Sequence, residues 1–432
     1  MQVMFDYLAI LDDLLWQYIA LFIILASGAL FAIKSRFFQF RVLSRFTEYI
    51  IELHKSASPD KVGTKPLRLY FASIGGMIGL GNIVVVATTV TMGGPGSLIW
   101  LWIASFLGML IKYAEIYLGI KYRVHNRKGG YDGGPMYYLQ HAFGNKFVSI
   151  IICLLLCIYG AEVSQFLVLT DTIMDTLHFE RELAIMSMLV LVMLGAAGGV
   201  RYLANICAVL MPIFMMGYIG IGTLVIIDNY EKLPAVLAMI WNSAWLGHAP
   251  IGGFLGSSML MAAHYGVSRA VYSGDIGIGY DSIIQSETQT RSPHKQARMA
   301  VYALLTDSII CTISTLIILL TGVWHQHLKP SEYVATALSE YIPNVKYFMA
   351  ALFFLAGFTT IIGYLVVGQK CARYLNPKVG QLLYLCYAAA AFIFFSYHEQ
   401  NNVLLLMSVS GGLLMIINLA GILRLRNEIK FM

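Results

Sequence analysis

Charge is what this chain has least of. Of its 432 residues only 12% are Asp, Glu, Lys or Arg, about half the share of a soluble globular chain. Hydrophobic residues reach 58% and the mean hydropathy is +0.72. So few polar groups cannot cover that much apolar surface, which argues against a soluble enzyme, a nucleic-acid binder or a disordered chain. Cysteine is sparse too. Cys153, Cys157, Cys207, Cys311, Cys371 and Cys386 lie almost entirely within apolar runs. Cys153 and Cys157 are four apart on one helix face with no His beside them, so they read as small packing residues rather than a disulfide or a metal site. Residues 1–15 carry three Asp and no Lys or Arg, which is not the pattern of a cleavable signal peptide.

What the chain does have is apolar runs of spanning length. Eleven are expected, at about 16–34, 68–91, 97–120, 147–170, 183–199, 203–227, 250–272, 298–323, 345–369, 379–397 and 402–424. Lys and Arg alternate between rich and poor connections, with 24 of 29 on one side and Lys112 inside a span. Such residues collect in cytoplasmic loops. The reading is therefore a multi-pass protein of the cell membrane, a bacterial inner membrane, with its N-terminus outside and its C-terminus cytoplasmic. Residues 1–66 hold the first helix and a basic cytoplasmic segment, and 67–229 a first set of five helices. Residues 230–249, with Trp241 and Trp245, suit an outer interfacial helix, and 250–432 a second set of five with a tail. The polar segment 281–297 reads as a cytoplasmic amphipathic stretch.

Two spans are interrupted by glycine. The second contains Gly75, Gly76, Gly79 and Gly81, then Asn82, and the seventh contains Gly252, Gly253, Gly256, Ser257, Ser258 and Gly266. Small residues also serve close helix packing. But Asn82 at mid-depth needs a partner, and unwound backbone frees N–H and C=O groups that hold anions and cations. If the first span is peripheral, the broken helices open two sets of five. An odd number of helices inverts the second set, and matching breaks in inverted halves mark a midplane binding site.

In this order and spacing the chain resembles the alanine/glycine–sodium symporter family, a branch of the LeuT-type transporters, over nearly its whole length. The residues that carry the likeness include Gly79-Leu-Gly81-Asn82-Ile83, Gly93-Gly94-Pro95-Gly96, Lys112-Tyr-Ala-Glu115, Gly133-Gly134-Pro135-Met136, Gln165, Gly198-Gly199-Val-Arg201, Gly266-Val-Ser-Arg269, Asp307 and Phe358-Thr359-Thr360-Ile361. The resemblance implies an all-α integral membrane protein with a five-plus-five inverted repeat and one extra N-terminal helix. It implies uptake of a small neutral amino acid with sodium by alternating access, and no organic cofactor. The expected partners are the amino acid and the lipid bilayer, with no nucleic acid.

On that model the N–H groups of Leu80, Gly81 and Asn82, beside Gly79, take a carboxylate. Carbonyls near Ser257, Ser258 or Gly266 accept from the ammonium. Gln165 stands where the family has a substrate-facing Gln, although an interhelical hydrogen bond would also account for it. Thr359 and Thr360 have the spacing of the family's sodium-binding helix, with the carbonyls of Gly75 and Ile78 as partners. Bonding of the two threonines to their own helix is the alternative.

Several buried ionisable groups need partners. Lys112 and Glu115 are expected to pair, Asp307 to meet a basic partner or support a gate, and Glu162 either to make an interhelical contact or to titrate near the site. The chain departs from the family at Leu80, where Thr is usual, and at Ser273-Gly274-Asp275-Ile276-Gly277, where Ser-Asn-Glu-Ala-Gly is usual. Proton coupling through Glu162 or Asp275 is therefore the close variant. A channel or non-transporting receptor is the alternative class, disfavoured because no repeated polar rings are visible. An enzyme lacks support: there is no His-Glu-x-x-His, and His264 stands about two turns from Ser257 and Ser258. No Arg lies near Gly79–Asn82 in sequence, so acidic amino acids are expected to be poor substrates.

Overall fold

The computed structural model describes residues 2–55, 62–126, 129–247, 258–398 and 401–432. It is a bundle of helices with one two-residue hairpin pairing, Val124–His125 with Tyr131–Asp132. Among the described residues, eight helices are long and apolar enough to cross a membrane, or up to nine when one bent pair is counted as a single span. That is fewer than the eleven expected. Two of the others are Arg181–Ala197, of 17 residues, and Met259–Gly274, of 16, both short of the ~20 residues that span a bilayer core.

Ten helices position the site. They are α1 (Phe5–Lys34), the bent pair α2 (Pro66–Met77) and α3 (Val85–Gly93), and α4 (Ser97–Lys121). Next come α5 (Lys146–Tyr159), α6 (Val163–Leu177), α7 (Met259–Gly274), α8 (Tyr280–Gln285), α9 (Met299–Thr321) and α10 (Val345–Leu375).

Pro66 starts α2 at the position where a missing N–H costs nothing. The helix stops at Met77 because Ile78 and Gly79 turn extended, and after a short 3-10 turn over Leu80–Asn82 the chain resumes at a 64° bend. α5 and α6 are joined through Glu162, a non-glycine residue in the left-handed region (φ 45°). That conformation costs about 1–2 kcal/mol for such a residue.

The seventh span does not break at Gly266. Residues 259–274 form one continuous helix, and the break follows at Asp275 (φ 47°), Gly277 (φ 79°) and Gly279 (φ 110°) before α8 resumes. Asp tolerates the left-handed region better than most residues, and glycine adopts it freely. Residues 250–257, with Gly252, Gly253, Gly256 and Ser257, lie outside the described residues.

The segment 281–297 is no amphipathic surface stretch, since residues 281–286 are buried. Its polar side chains satisfy one another and the start of α2. Gln285 donates to the Leu69 carbonyl at 3.2 Å, Gln296 to the Pro66 carbonyl at 3.3 Å, and Thr288 to Gln296 at 2.8 Å. A polar sequence can be buried whenever its hydrogen bonds are made internally. Arg269 belongs with no basic connection either. It sits in α7 and is 4% exposed.

Candidate functional site

The two breaks face each other across one small cavity of about 20 Å³. Gly79, Gly81 and Asn82 line it from the first break, Gln165 and Glu162 from the α5–α6 kink, Arg269, Tyr272, Ser273 and Asp275 from the second break, and Thr360 and Tyr364 from α10. That volume holds about one water molecule.

Asn82 and Asp307 tie the first break to the second. The Asn82 amide donates to Asp307 Oδ1 at 2.6 Å, and the Ser273 hydroxyl to Asp307 Oδ2 at 2.9 Å. Asp307 thus accepts from an amide and a hydroxyl and makes no ion pair among the described residues. The Asn82 amide nitrogen is thereby committed to this link.

The supply of main-chain donors is narrower than the sequence suggests. Leu80 N–H donates to Gln165 Oε1 at 3.1 Å, and Asn82 N–H to the Gly79 carbonyl at 3.2 Å. Gly81 N–H has no backbone partner among the described residues. Gln165 is therefore brought to the break, where it caps Leu80.

A residue that the sequence reading missed stands beside Gly81. A Cβ built on Gly81 would lie 3.0 Å from both Nη1 and Nη2 of Arg269, so the guanidinium stands close against this stretch of backbone and a side chain here would push it away. The signal was present as Gly266-Val-Ser-Arg269, but it lies far along the chain.

Lys112, fully buried, does not pair with Glu115. It forms an ion pair with Asp281 and also donates to the Gly274 carbonyl and Met77 Sδ. A cation at the C-terminal end of α7 opposes the helix dipole. Lys112 thus joins the end of α2, the end of α7 and the start of α8, and Asp281 also accepts from Ser73. Asp275 accepts from Tyr364 and leaves its Oδ2 unpartnered, as Glu162 does its Oε2.

Ser258 and Gly266 are not at this site. Ser258 is an exposed N-cap that accepts from Met261 N–H at 3.2 Å. Gly266 lies within α7, where a Cβ would sit 2.3 Å from the Ser97 carbonyl oxygen, so it serves close packing against α4.

The candidate sodium ligands divide. Thr360 Oγ1 reaches the Gly75 carbonyl across helices at 3.0 Å as well as its own Ala356 carbonyl at 3.1 Å, whereas Thr359 Oγ1 bonds back to Leu355 and Ala356 at 2.9 Å each and meets only Met211 Sδ, at 3.4 Å, from another helix. The Ile78 carbonyl, at the frayed end of α2, accepts no backbone bond from beyond its helix. Gly75, Ile78 and Thr360 offer oxygens of the kind a hard monovalent cation takes.

On the face rich in Lys and Arg, a charged cluster closes the bundle. Lys370 meets Asp132 at 3.1 Å and Glu287 at 2.9 Å, and Arg373 meets Asp132 at 3.0 Å. Arg123 holds the carbonyls of Ser286, Thr288 and Thr290 at 2.7–3.0 Å. Burial works against the Asp132 charge, but Lys370 and Arg373 outweigh it and hold its carboxyl below the usual range. A cavity of about 210 Å³ lies here, lined by Gly198, Gly199, Arg201, Gln369 and Lys370 among others.

Comparison with known proteins places this geometry. The model of the sodium:alanine symporter family matches residues 1–431. An uncharacterized transporter of Haemophilus influenzae is 31% identical over 387 residues, covering 87% of this chain and 84% of its own. The sodium/alanine symporter AgcS of Methanococcus maripaludis is 26% identical, covering 86% and 84%. The probable sodium/glutamine symporter GlnT of Bacillus subtilis is 26% identical, covering 98% and 88%. Among solved structures, MhsT in complex with L-phenylalanine superposes with a TM-score of 0.56 at 15% identity, covering 81% of this chain and 87% of that one, a likeness of fold. A multi-pass helical membrane protein with a LeuT-type fold and two broken helices meeting at a buried polar cavity, this chain belongs to the sodium:alanine symporter family, a family of transporters.

Proposed function

We propose that the chain imports a small neutral amino acid, such as alanine, glycine or serine, together with sodium, by alternating access. The meeting of two helix breaks at one buried cavity carries the reading, because unwound backbone at mid-membrane is tolerated only where it is buried in protein or lines such a site. Gly79, Leu80, Gly81, Asn82 and Gln165 form the substrate wall, and Gly75, Ile78, Thr359 and Thr360 the sodium site. The basic face is cytoplasmic and the N-terminus outside, in a bacterial inner membrane. A cavity of about 20 Å³ is smaller than any amino acid, so entry requires the broken helices to part, and the Lys370–Asp132–Glu287 cluster is the inner closure.

Proton coupling is the second reading. It is favoured by Glu162, which is 3% exposed, lines the cavity and leaves Oε2 without a partner. The test is uptake of radiolabelled alanine and glycine into proteoliposomes. Accumulation driven by an inward sodium gradient supports the first reading, and accumulation driven by a pH gradient alone replaces it with the second. Uptake driven by neither would remove both.

A further inference from the structure

The geometry points to Arg269 as the residue that holds the substrate's carboxylate, so that the transporter reads its amino acid through a side-chain cation as well as through main-chain N–H groups. This rests on the amino-acid symport reading and deepens it.

Arg269 is 4% exposed, lines the cavity, and leaves Nε and Nη1 without hydrogen-bond partners. It makes no ion pair among the described residues. A buried guanidinium with spare donors is expensive to keep, and it is retained where an anion arrives to use them. Both oxygens of Asp307 are already engaged, by Asn82 and Ser273, and no contact within 4.0 Å joins it to Arg269. The Tyr272 ring, 6.0 Å from the guanidinium carbon, adds a cation–π contact that leaves the in-plane N–H groups available.

The position fits a carboxylate in particular. Of the three N–H groups that the first break exposes, Leu80's is taken by Gln165 and Asn82's by Gly79, which leaves Gly81's. Both Nη atoms of Arg269 stand against that residue. One main-chain N–H with a guanidinium beside it makes a charge-assisted site, and the planar fork of Arg matches a carboxylate better than an ammonium would. The same cavity is lined by Asp275 and Glu162, whose Oδ2 and Oε2 are unpartnered and suit the substrate's ammonium. The substrate class is therefore a zwitterion with a free carboxylate. Alaninamide, which keeps the ammonium and the methyl group, should be rejected.

The experiment measures alanine and alaninamide competing for labelled alanine, together with the thermal stabilisation given by sodium alone. The wild type is expected to favour alanine over alaninamide by about 100-fold or more. In Arg269→Gln the alanine half-saturation should rise about 10- to 100-fold and the preference over alaninamide should collapse, with the sodium stabilisation retained. Arg269→Lys should recover part of the affinity. A purely structural role would move the sodium response too, and would be repaired by Arg269→Gln with Asp307→Asn. That repair, unchanged alanine affinity in Arg269→Gln, or equal use of alaninamide by the wild type each overturns the proposal. The wild-type competition holds even if the variant fails to fold. A wild type that binds no amino acid sinks the symporter reading itself, whereas alanine binding indifferent to Arg269 sinks only this inference.

Discussion

Asn82 on the first broken helix donates its amide to Asp307 on α9 at 2.6 Å, and the other Asp307 oxygen accepts from Ser273 on the second broken helix. The carboxylate is thus the shared acceptor through which two discontinuous helices hold their relative position. Hydrogen bonds to a charged group contribute about 1.5–3 kcal/mol, and truncating one partner leaves the other buried and under-satisfied. Asn82→Ala is expected to lower thermal stability and to reduce alanine uptake. A double-mutant cycle with Asp307→Asn should give a coupling above about 1 kcal/mol. Additive effects would show that the amide acts independently of Asp307.

The two threonines of α10 should not be equivalent. Thr360→Ala removes a hydroxyl that already reaches the Gly75 carbonyl, and should raise the sodium half-saturation of uptake about tenfold. Thr359→Ala removes a hydroxyl bonded to its own helix and should have a smaller effect, with the double variant the weakest. An unchanged sodium half-saturation in the double variant would place the cation elsewhere.

Acidic amino acids should remain poor substrates. Arg269 supplies one charge, and the other ionisable groups lining the cavity, Asp275 and Glu162, are acids, so a second carboxylate finds no cation of its own. Glutamate displacing alanine at equal concentration would contradict this. Gly81→Val should abolish binding, because its side chain would enter the space of the Arg269 guanidinium and disfavour the unwound backbone.

The inner closure should be insensitive to pH across the physiological range. The Asp132 carboxyl is held below its ordinary value by Lys370 and Arg373. Its contribution is therefore present above the unfolded range near pH 4 and fades only as pH falls through the lowered value. Asp132→Ala should increase labelling of a cysteine placed at Gln369 by an impermeant thiol reagent. Labelling should be flat between pH 5 and 8 in the parent, and a change within that window would point to a different controlling group.

The first break was legible because its cause is local. Gly79, Leu80, Gly81 and Asn82 follow one another, and a polar amide in an apolar run demands a partner. Gln165 and Thr360 were legible only through the family's spacing. The turn at Asp275, Gly277 and Gly279 was not legible, because glycine in the seventh span is densest at 252–256 and the turn depends on a left-handed Asp275 that composition does not mark. Lys112 was assigned to Glu115 by helical spacing, which says nothing of neighbours from other helices, and its partner came from α8. Segment 281–297 was read as exposed because polarity was equated with water, when its glutamines and threonines bond to each other and to the α2 backbone. Arg269 was out of reach for the same reason: its counterpart Gly81 belongs to the other repeat.

The Lys112–Asp281 pair also bears on how the protein behaves electrically. Bonded to each other and to the Gly274 carbonyl, the two charges form a neutral unit that bridges both discontinuous helices. Whatever displacement those helices undergo together, the pair carries no net charge through the membrane field, where each unbalanced elementary charge is worth about 2.3 kcal/mol per 100 mV. Transient charge movements on a voltage step would then report the bound ions and not the buried lysine.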